Sequence, residues 1–445
     1  MRSLPALVFM LCSAPVFATP RELPLSQARV DELRTLAVDA ELVVKGFPDG
    51  FGGHRDLRFK RIDVYAPGAR VFASGPDGEH EIPRSARIEL IGSDDSGSMR
   101  AHLAFDPGFR NVVGSGSAPS GTFAIRTRGD GDNALVVQPT EETLPRGVTP
   151  QVIGDDDGMP SPLSPPAPLL DLGVDTVTAT PRAAVVAIDV DHELLVNRFG
   201  GTSAANLTAA TNWIADLFAT MNVMYVRDLD VMLQQGTTRL RTGATPYTIA
   251  ANAAASQADL TSFGNYWQGN ESGTSRAFTA LLSGQMTSGF SASGIAWINS
   301  YCHPQGNGGS YSVNKVFTSA QVGVDLSARI VGHELGHNFG ASHTHCTSAS
   351  SGAFPVASGT IDQCYKGEGG CYSGPVSCPT SGPGAPLGSV MSYCNQGSPN
   401  GASCGQNALQ FHPVQVSKLS SLIAQNTQSG CLAASGDVIF QNGFE

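Results

Sequence analysis

Cysteine is missing from most of this chain, and its absence restricts the chemistry of two thirds of the sequence. Of nine cysteines in 445 residues, one stands at position 12 and the other eight lie between positions 302 and 431. The stretch from 19 to 301 can therefore hold neither a disulfide nor a thiolate metal ligand. The eight late cysteines do not form paired CxxC units, which disfavours a structural zinc site. Their even number instead predicts four disulfides made in an oxidising compartment.

Basic residues are also scarce. The chain has 27 Lys and Arg against 38 Asp and Glu, a net charge of −11. Broad contact with nucleic acid or with an anionic membrane surface requires an excess of positive charge. We therefore expect no nucleic-acid partner, and the charge leaves the class of substrate open.

A long apolar run occurs only near the N-terminus. It extends from Leu4 to Phe17 after the basic Arg2, and it is too short to cross a bilayer. A small-residue cleavage site ends at Ala18, so we expect residues 1–18 to be a signal peptide. The protein is accordingly expected to be secreted, either extracellular or periplasmic, with no membrane span.

Composition divides the rest of the chain into four parts. Residues 19–153 contain short alternating segments separated by turn signals, which predicts a β-rich region. Residues 154–181 are acidic and then proline-rich, which predicts an exposed linker open to proteolysis. Residues 182–434 hold all eight late cysteines and are expected to form the main domain. Residues 435–445 form a C-terminal tail that resembles a short aromatic-acidic tag or, equally well, a frayed terminus.

Apolar patterning predicts alternating strands and helices in the first half of the main domain. The predicted strands are 183–190, 231–233 and 294–298, and the predicted helices are 205–225 and 276–282. The stretch around Gly264, Gly269 and Gly273 is expected to be rich in loops.

The segment 327–343, SARIVGHELGHNFGASH, carries three regularly spaced histidines. His333 and His337 are four residues apart on a predicted helix, so they project from one face about one turn apart. Gly340 permits a sharp turn, after which the chain returns with His343. A cluster of surface histidines is the alternative, and His345 could in principle replace His343, although the spacing favours His343. The pattern predicts a metal site.

Three neutral ligands leave a fourth position for water, which is typical of a catalytic rather than a structural zinc. Zinc lowers the pKa of that water and polarises a substrate carbonyl. Glu334 follows His333 directly and could take the proton of the water and pass it to a leaving amine. The sequence therefore predicts a zinc-dependent hydrolase with Glu334 as general base.

The pattern His333-Glu334-x-x-His337-x-x-Gly340-x-x-His343, with Met391 in the later sequence SVMSY, resembles the metzincin clan of zinc endopeptidases. The segment VDHELLVNRFGG, the predicted helix after it and the closing KLSSLIAQ resemble the reprolysin/adamalysin branch. The resemblance covers about residues 182–434. It implies an α+β fold: an upper α/β-type subdomain with a twisted mixed sheet, and a smaller, disulfide-rich, irregular lower subdomain. The β-rich residues 19–153 would precede it as a propeptide.

The resemblance also implies roles for individual residues. His333, His337 and His343 match the zinc ligands and Glu334 matches the catalytic base. Met391 matches the methionine of a turn that packs beneath the zinc site without binding it.

Further residues match parts of the family outside the zinc motif. An extended substrate would add as a strand to the edge strand that contains Gly294, Ile295, Ala296 and Trp297. Cys302 and Cys431 match a disulfide of the family. The other six cysteines allow 15 pairings, which sequence leaves open; they are Cys346, Cys364, Cys371, Cys378, Cys394 and Cys404.

Three departures from the branch are visible. Thr344 follows the third ligand where the branch usually has Asp. Val185 and Phe278 stand where its calcium carboxylates would be, so no calcium is expected at that site. The first region has no thiol to cap the zinc, so latency needs another group; Asp155 is a candidate, and a solvated acidic linker is the alternative.

Tyr393 follows Met391 by two residues, and this resembles astacins and serralysins, which place there a tyrosine that touches the zinc or the developing oxyanion. The alternative is a tyrosine that only packs beside Cys394. The main hypothesis is a secreted zinc endopeptidase that acts on proteins or peptides, with its own propeptide as inhibitor. The competing hypotheses are an inactive zinc-containing binding protein, and a β-rich binding module in the first region.

Overall fold

The computed structural model describes residues 21–129, 133–145, 148–152, 159–160, 182–286, 288–382 and 384–434. The predicted signal peptide, Asp155, the tail at 435–445 and the linker apart from 159–160 lie outside these residues. Among the described residues, no helix is both long and apolar enough to cross a membrane.

The first region is built around an eight-stranded antiparallel sheet. Its spatial order is β1-β10-β9-β8-β7-β6-β3-β2. The strands are β1 (Arg21–Pro24), β2 (Glu41–Pro48), β3 (His54–Ile62), β6 (Ile88–Ser93), β7 (Arg100–Phe105), β8 (Val113–Ala118), β9 (Gly121–Thr127) and β10 (Ala134–Pro139). Helix α1 (Gln27–Thr35) begins after Ser26, whose side chain accepts a hydrogen bond from the Arg29 N–H. The prediction of a β-rich first region is confirmed.

One hairpin of the first region leaves this sheet. It consists of β4 (Val71–Gly75) and β5 (Gly78–Ile82), and β4 pairs in parallel with β14 (Val231–Arg241) of the main domain. The first region therefore contributes strands to both sheets of the molecule.

The second sheet runs in the order β11-β16-β17-β15-β13-β14-β4-β5. Its remaining strands are β11 (Gln151–Val152), β12 (Met159–Pro160), β13 (Arg182–Val190), β15 (Phe278–Ser283), β16 (Ser291–Ile298), β17 (Tyr311–Lys315) and β18 (Ala433–Ala434). Strands β14, β13, β15 and β17 are parallel neighbours, whereas β16 is antiparallel to β17. The short β12 pairs with β16, and β18 pairs with β13.

Five helices accompany this sheet. They are α2 (His192–Phe199), α3 (Ala204–Leu229), α4 (Gln257–Asn270), α5 (Val324–Asn338) and α6 (Pro413–Gln428). The long α3 is buried along most of its length and packs against β14 and α5 as well as against β6 and β7 of the first sheet. The molecule is thus a mixed α+β structure, and the predicted strands 183–190 and 294–298 and helix 205–225 are confirmed.

The predicted helix at 276–282 is wrong, because residues 278–282 lie in strand β15 and the two residues before them are not helical. All six residues of the strand are buried. A central strand covered on both faces shows an unbroken apolar run, whose period does not distinguish it from a buried helix. The expected loop is also wrong at Gly264 and Gly269, since α4 passes through both, whereas Gly273 lies in a turn after the helix. That helix begins with a reciprocal cap between Ser256 and Asp259, a signal that was present in the sequence.

A buried polar cluster joins the first sheet to α3. His102 Nε2 lies 2.9 Å from a Glu89 carboxylate oxygen, and its Nδ1 lies 3.0 Å from the Thr220 hydroxyl. Arg87 Nε lies 2.7 Å from a carboxyl oxygen of Asp216 beside them. Burial raises the pKa of Glu89 to about 7 and that of Asp216 to about 8, and it lowers the pKa of His102 to about 4.

The segment 339–411, called the disulfide segment below, has little regular structure. Among its described residues there are only a short 3-10 turn at 344–346 and isolated bridges. Three disulfides cross-link it: Cys346–Cys371, Cys364–Cys394 and Cys378–Cys404. A fourth, Cys302–Cys431, connects the end of β16 to the chain after α6. The predicted disulfide-rich, irregular C-terminal part is therefore present.

Candidate active site

Helix α5 carries the first two histidines of the motif. The helix is buried from Asp325 to Asn338. His333 and His337 lie one turn apart, as their spacing predicts, with Nε2 atoms 3.1 Å from each other. His343 joins them from the disulfide segment, with its Nε2 3.1 Å from that of His337 and 3.2 Å from that of His333. The three Nε2 atoms form a nearly equilateral triangle.

The other nitrogen of each ring is engaged by an acceptor. His333 Nδ1 donates to the Val390 carbonyl at 2.8 Å, and His337 Nδ1 donates to the Ala341 carbonyl at 2.8 Å. His343 Nδ1 donates to the Glu368 carboxylate at 2.6 Å. Each ring therefore keeps its lone pair on Nε2.

Three lone pairs directed at one point repel each other unless a cation lies between them. A tetrahedral zinc with Zn–N distances of about 2.0–2.1 Å separates its ligand nitrogens by roughly 3.4 Å. The triangle formed by His333, His337 and His343 is close to that size. Donor type, tautomer and spacing thus fit zinc.

Gly340 allows the sharp turn after α5 that brings His343 close to His333 and His337. Its φ is +106°, a conformation that side-chain-bearing residues rarely adopt. A Cβ at this position would also collide with Leu422 of α6. The turn brings His343 back to the helix face within six residues of His337.

Glu334 lies on α5 against the edge strand β16. Its side chain is buried, and a Cβ at Gly294 would collide with its carboxylate. Glycine at 294 therefore lets the predicted substrate edge approach the predicted base. The predicted edge residues Gly294, Ile295, Ala296 and Trp297 all lie in β16.

Met391 and Tyr393 lie on the other side of the histidines. Met391 is fully buried, and its carbonyl accepts a hydrogen bond from the Thr344 N–H at 3.1 Å. The Tyr393 ring centroid is 4.4 Å from that of His343 and 5.8 Å from that of His333. Both residues are thus placed beside the three histidines.

Thr344 takes part in a hydrogen-bonded chain that ends on a carboxylate. Its hydroxyl donates to Ser392 Oγ at 2.9 Å, and Ser392 Oγ donates to Asp362 at 2.8 Å. Although position 344 lacks the aspartate usual in the branch, a carboxylate from Asp362 therefore still anchors the turn that contains Met391.

Glu368 is the residue that the sequence did not reveal. One of its oxygens accepts hydrogen bonds from His343 Nδ1 at 2.6 Å and from His345 Nε2 at 2.9 Å. Burial alone would raise the pKa of Glu368, but the two histidines lower it to about 2. No fixed spacing relates position 368 to the motif. The Cys346–Cys371 disulfide brings the two segments together, and that pairing was open at the level of sequence.

His345 lies outside the triangle of Nε2 atoms and beside Glu368. A second group of potential ligands contains His343, His345, Cys346 and Glu368. Cys346 is oxidised to a disulfide with Cys371, so it offers no thiolate. The preference for His343 over His345 as the third member of the triangle agrees with this geometry.

The edge of β16 is partly covered by the end of the first region and by a short piece of the linker. Gln151–Val152 pairs in parallel with Ser291–Ala292, and Met159–Pro160 pairs in parallel with Trp297–Ile298. A substrate strand along this edge would have to displace both pairings.

Fold and site together define a divergent metzincin-like zinc metalloendopeptidase. The chain belongs to metallo-peptidase family M12, whose reprolysin-type model matches residues 180–403. The family implies protein substrates and a metal, typically zinc. Among solved structures, metalloproteinase-II from Bacteroides fragilis is similar, with a TM-score of 0.36 and 11% identity, over 70% of this chain and 87% of that chain. No curated protein matches.

Proposed function

We propose that this protein is a secreted zinc-dependent endopeptidase in which His333, His337 and His343 hold the zinc and Glu334 is the general base. The observation that carries the proposal is the triangle of Nε2 atoms, each 3.1–3.2 Å from the others, beside a buried carboxylate at the substrate edge. When bound there, zinc acidifies a water molecule and polarises the scissile carbonyl.

The chain's own groups handle the proton and the developing charge. The Glu334 carboxylate accepts a proton from the attacking water and delivers it to the leaving amine nitrogen. The Tyr393 phenol donates a hydrogen bond to the developing oxyanion, or contacts the metal as a further ligand. Glu368 holds the tautomer and orientation of His343 through the 2.6 Å hydrogen bond. Met391 supports the histidines by packing.

An extended substrate binds antiparallel to β16, alongside Gly294–Trp297, by strand addition. In the intact chain, the pairings of β11 and β12 with β16 compete with that substrate. We therefore assign residues 19–153 to an inhibitory propeptide, which is released by cleavage in the linker 154–181. The four disulfides support an extracellular or periplasmic enzyme, and residues 1–18 would be removed on export.

The test is cleavage of casein by the purified protein, matured where necessary, with and without a zinc chelator. Glu334→Ala should lower kcat by roughly 10²- to 10⁴-fold and should keep one zinc per chain, because the three histidines are unchanged. N-terminal sequencing of the active form should start after residue 153. Activity that survives the chelator or Glu334→Ala would refute the mechanism, and an active form that retains residues 19–153 would refute the propeptide assignment.

A further inference from the structure

A narrow cleft, open to solvent, lies directly beside His333 and Glu334. Helix α5 forms one wall through Leu326, Arg329 and Ile330, and the disulfide segment forms another through Gln396 and Asn407. Because the cleft opens beside the residues proposed to attack the peptide bond, a side chain next to that bond would enter it.

Arg329 is held rigidly in the wall of this cleft. The residue is only 6% exposed. Its Nη1 donates to Asp325 at 2.7 Å, and its Nε donates to the Asn407 carbonyl at 2.6 Å. Two fixed hydrogen bonds on one planar guanidinium leave the third nitrogen in a defined position.

That third nitrogen, Nη2, is buried and has no hydrogen-bond partner among the described residues. A buried donor without an acceptor costs free energy, so such a group favours any ligand that brings one. Pro150 and Val152 of the first region also line the cleft, but their side chains offer no acceptor. Within the described part of the intact chain, the donor is therefore still unused.

The guanidinium of Arg329 suits an incoming carboxylate or amide oxygen. Asp325 already pairs with Arg329 but does not line the cleft, and among the described lining residues Glu334 is the sole carboxylate. Arg329 precedes His333 by four residues, a rise of about 6 Å along the helix. A substrate side chain must therefore be long enough to reach from the scissile bond toward the guanidinium, which favours Glu and Gln over Asp and Asn.

We propose that this cleft is the specificity pocket for the residue after the scissile bond, and that Arg329 makes it select Glu or Gln. The inference rests on the proposed endopeptidase function and adds its substrate class. Once Pro150 and Val152 have left with the first region, a glutamate or glutamine oxygen that enters the cleft accepts the unused Nη2 hydrogen bond, whereas an aliphatic side chain of similar size leaves that donor buried and unpaired. Arg329 is thus a specificity-determining residue.

The experiment is a cleavage-site profile of the mature, zinc-loaded enzyme on a peptide library, read by mass spectrometry. The wild type should favour Glu and Gln over Leu by roughly 10- to 100-fold in kcat/KM, the range of one hydrogen bond to a charged group. Arg329→Met, which keeps the length and removes the donors, should lose that preference and accept Leu and Met.

Asp325→Asn provides a second variant that keeps the guanidinium and frees it from its partner. It should raise the preference for Glu over Gln several-fold, because the pocket gains positive charge. If Arg329→Met does not fold, the preference of Asp325→Asn for Glu over Gln tests the role of Arg329 instead, and an unchanged preference would count against it. Zinc-dependent cleavage without a preference for Glu and Gln, or an unchanged profile in Arg329→Met, would overturn the assignment of the pocket. Absence of any zinc-dependent cleavage would overturn the proposed function instead.

Discussion

The two halves of the candidate site are built by different means. His333, Glu334 and His337 lie on helix α5, whose repeating backbone hydrogen bonds fix the distance between them. His343, Glu368 and Tyr393 lie in the disulfide segment, where cross-links replace regular structure. The helical half can be built from local sequence alone, whereas the other half depends on pairings between residues far apart in the chain.

Because of this difference, substitutions on the helix and broken disulfides should damage the site in different ways. A substitution on α5 removes one group and leaves its neighbours in place, because the helix does not depend on any single side chain. A broken cross-link in the disulfide segment allows several groups to move together. Substitutions in the two halves should therefore differ in how many properties they change at once.

Removal of the Cys346–Cys371 disulfide should cost both stability and activity. For a sequence separation of 25 residues, the Cys346→Ser/Cys371→Ser variant should lose about 3 kcal/mol of unfolding free energy. It should also lose zinc affinity, because Glu368 is no longer held near His343. Denaturant unfolding and chelator competition measure the two effects.

The matched control is the Cys302→Ser/Cys431→Ser variant. Its loop spans 129 residues, so it should lose more stability, about 5 kcal/mol. Because neither cysteine belongs to a group of potential ligands with the three histidines, the folded fraction should bind zinc like the wild type. Equal loss of zinc affinity in both variants would show that general loosening, and not the position of Glu368, is responsible.

Tyr393→Phe should lower kcat by about 10²-fold with little change in KM, since a lost oxyanion donor acts in the transition state. The ring itself remains, so its packing against His343 is kept. Steady-state kinetics on a peptide provides the measurement. An unchanged kcat/KM would leave Tyr393 with a packing role only.

Glu368→Gln should weaken zinc binding by roughly 10- to 100-fold, the usual effect of losing a carboxylate behind a ligating histidine. Competition with a chromogenic chelator reports it without reference to activity. Asp362→Asn is the control, because that carboxylate is bonded to Ser392 and not to a histidine; it should change zinc affinity less than about threefold. Wild-type affinity in Glu368→Gln would exclude the positioning role.

The smallest effect is a dependence of stability on pH that originates between the first sheet and α3. The pKa of Glu89 is raised to about 7 and that of Asp216 to about 8, so their protonated forms favour the folded state, and stability falls as pH rises. The lowered pKa of His102 acts only below its ordinary value of 6.5. Between pH 6.5 and 8 the carboxylates therefore dominate, despite the positive charge of Arg87.

For each proton that the folded state binds in excess of the unfolded state in that window, the unfolding free energy falls by about 1.4 kcal/mol per pH unit. Denaturant unfolding of the intact chain at pH 6.5 and pH 8 should show the decrease. Glu89→Gln and Asp216→Asn should each flatten the slope, whatever their effect on absolute stability. A slope identical to that of the wild type in both variants would exclude the cluster as its source.

Sequence reasoning predicted the helical half of the site because its geometry is local. The spacing of His333 and His337 required only a helix, and Gly340 indicated the return to His343. Glu368 could not be predicted, because its position depends on a disulfide that was one of several alternatives. Strand β15 was mistaken for a helix because burial on both faces removed the period that distinguishes the two.

The division of the first region between two sheets was equally beyond sequence reasoning. The turn between β4 and β5 was visible, but the choice of sheet depends on which edge is free when the chain collapses. That edge belongs to β14, where Val71–Ser74 pairs with Thr238–Arg241. Strand pairing between distant segments has no local signal in one sequence.

Loss of the hairpin β4–β5 during maturation would affect the tendency of the protein to aggregate. If the first region departs as proposed, β14 changes from an internal strand to an edge, and its backbone groups at 238–241 become available to other chains. Exposed edges of this kind promote intermolecular pairing and aggregation. Arg239, which contacts Glu79 of the hairpin, would then remain as a charged gatekeeper on the exposed edge. Strand β14 has to be stable both when it is paired with β4 and when it forms an exposed edge. A cation at position 239 suits both states, whereas an apolar residue would favour aggregation at the exposed edge.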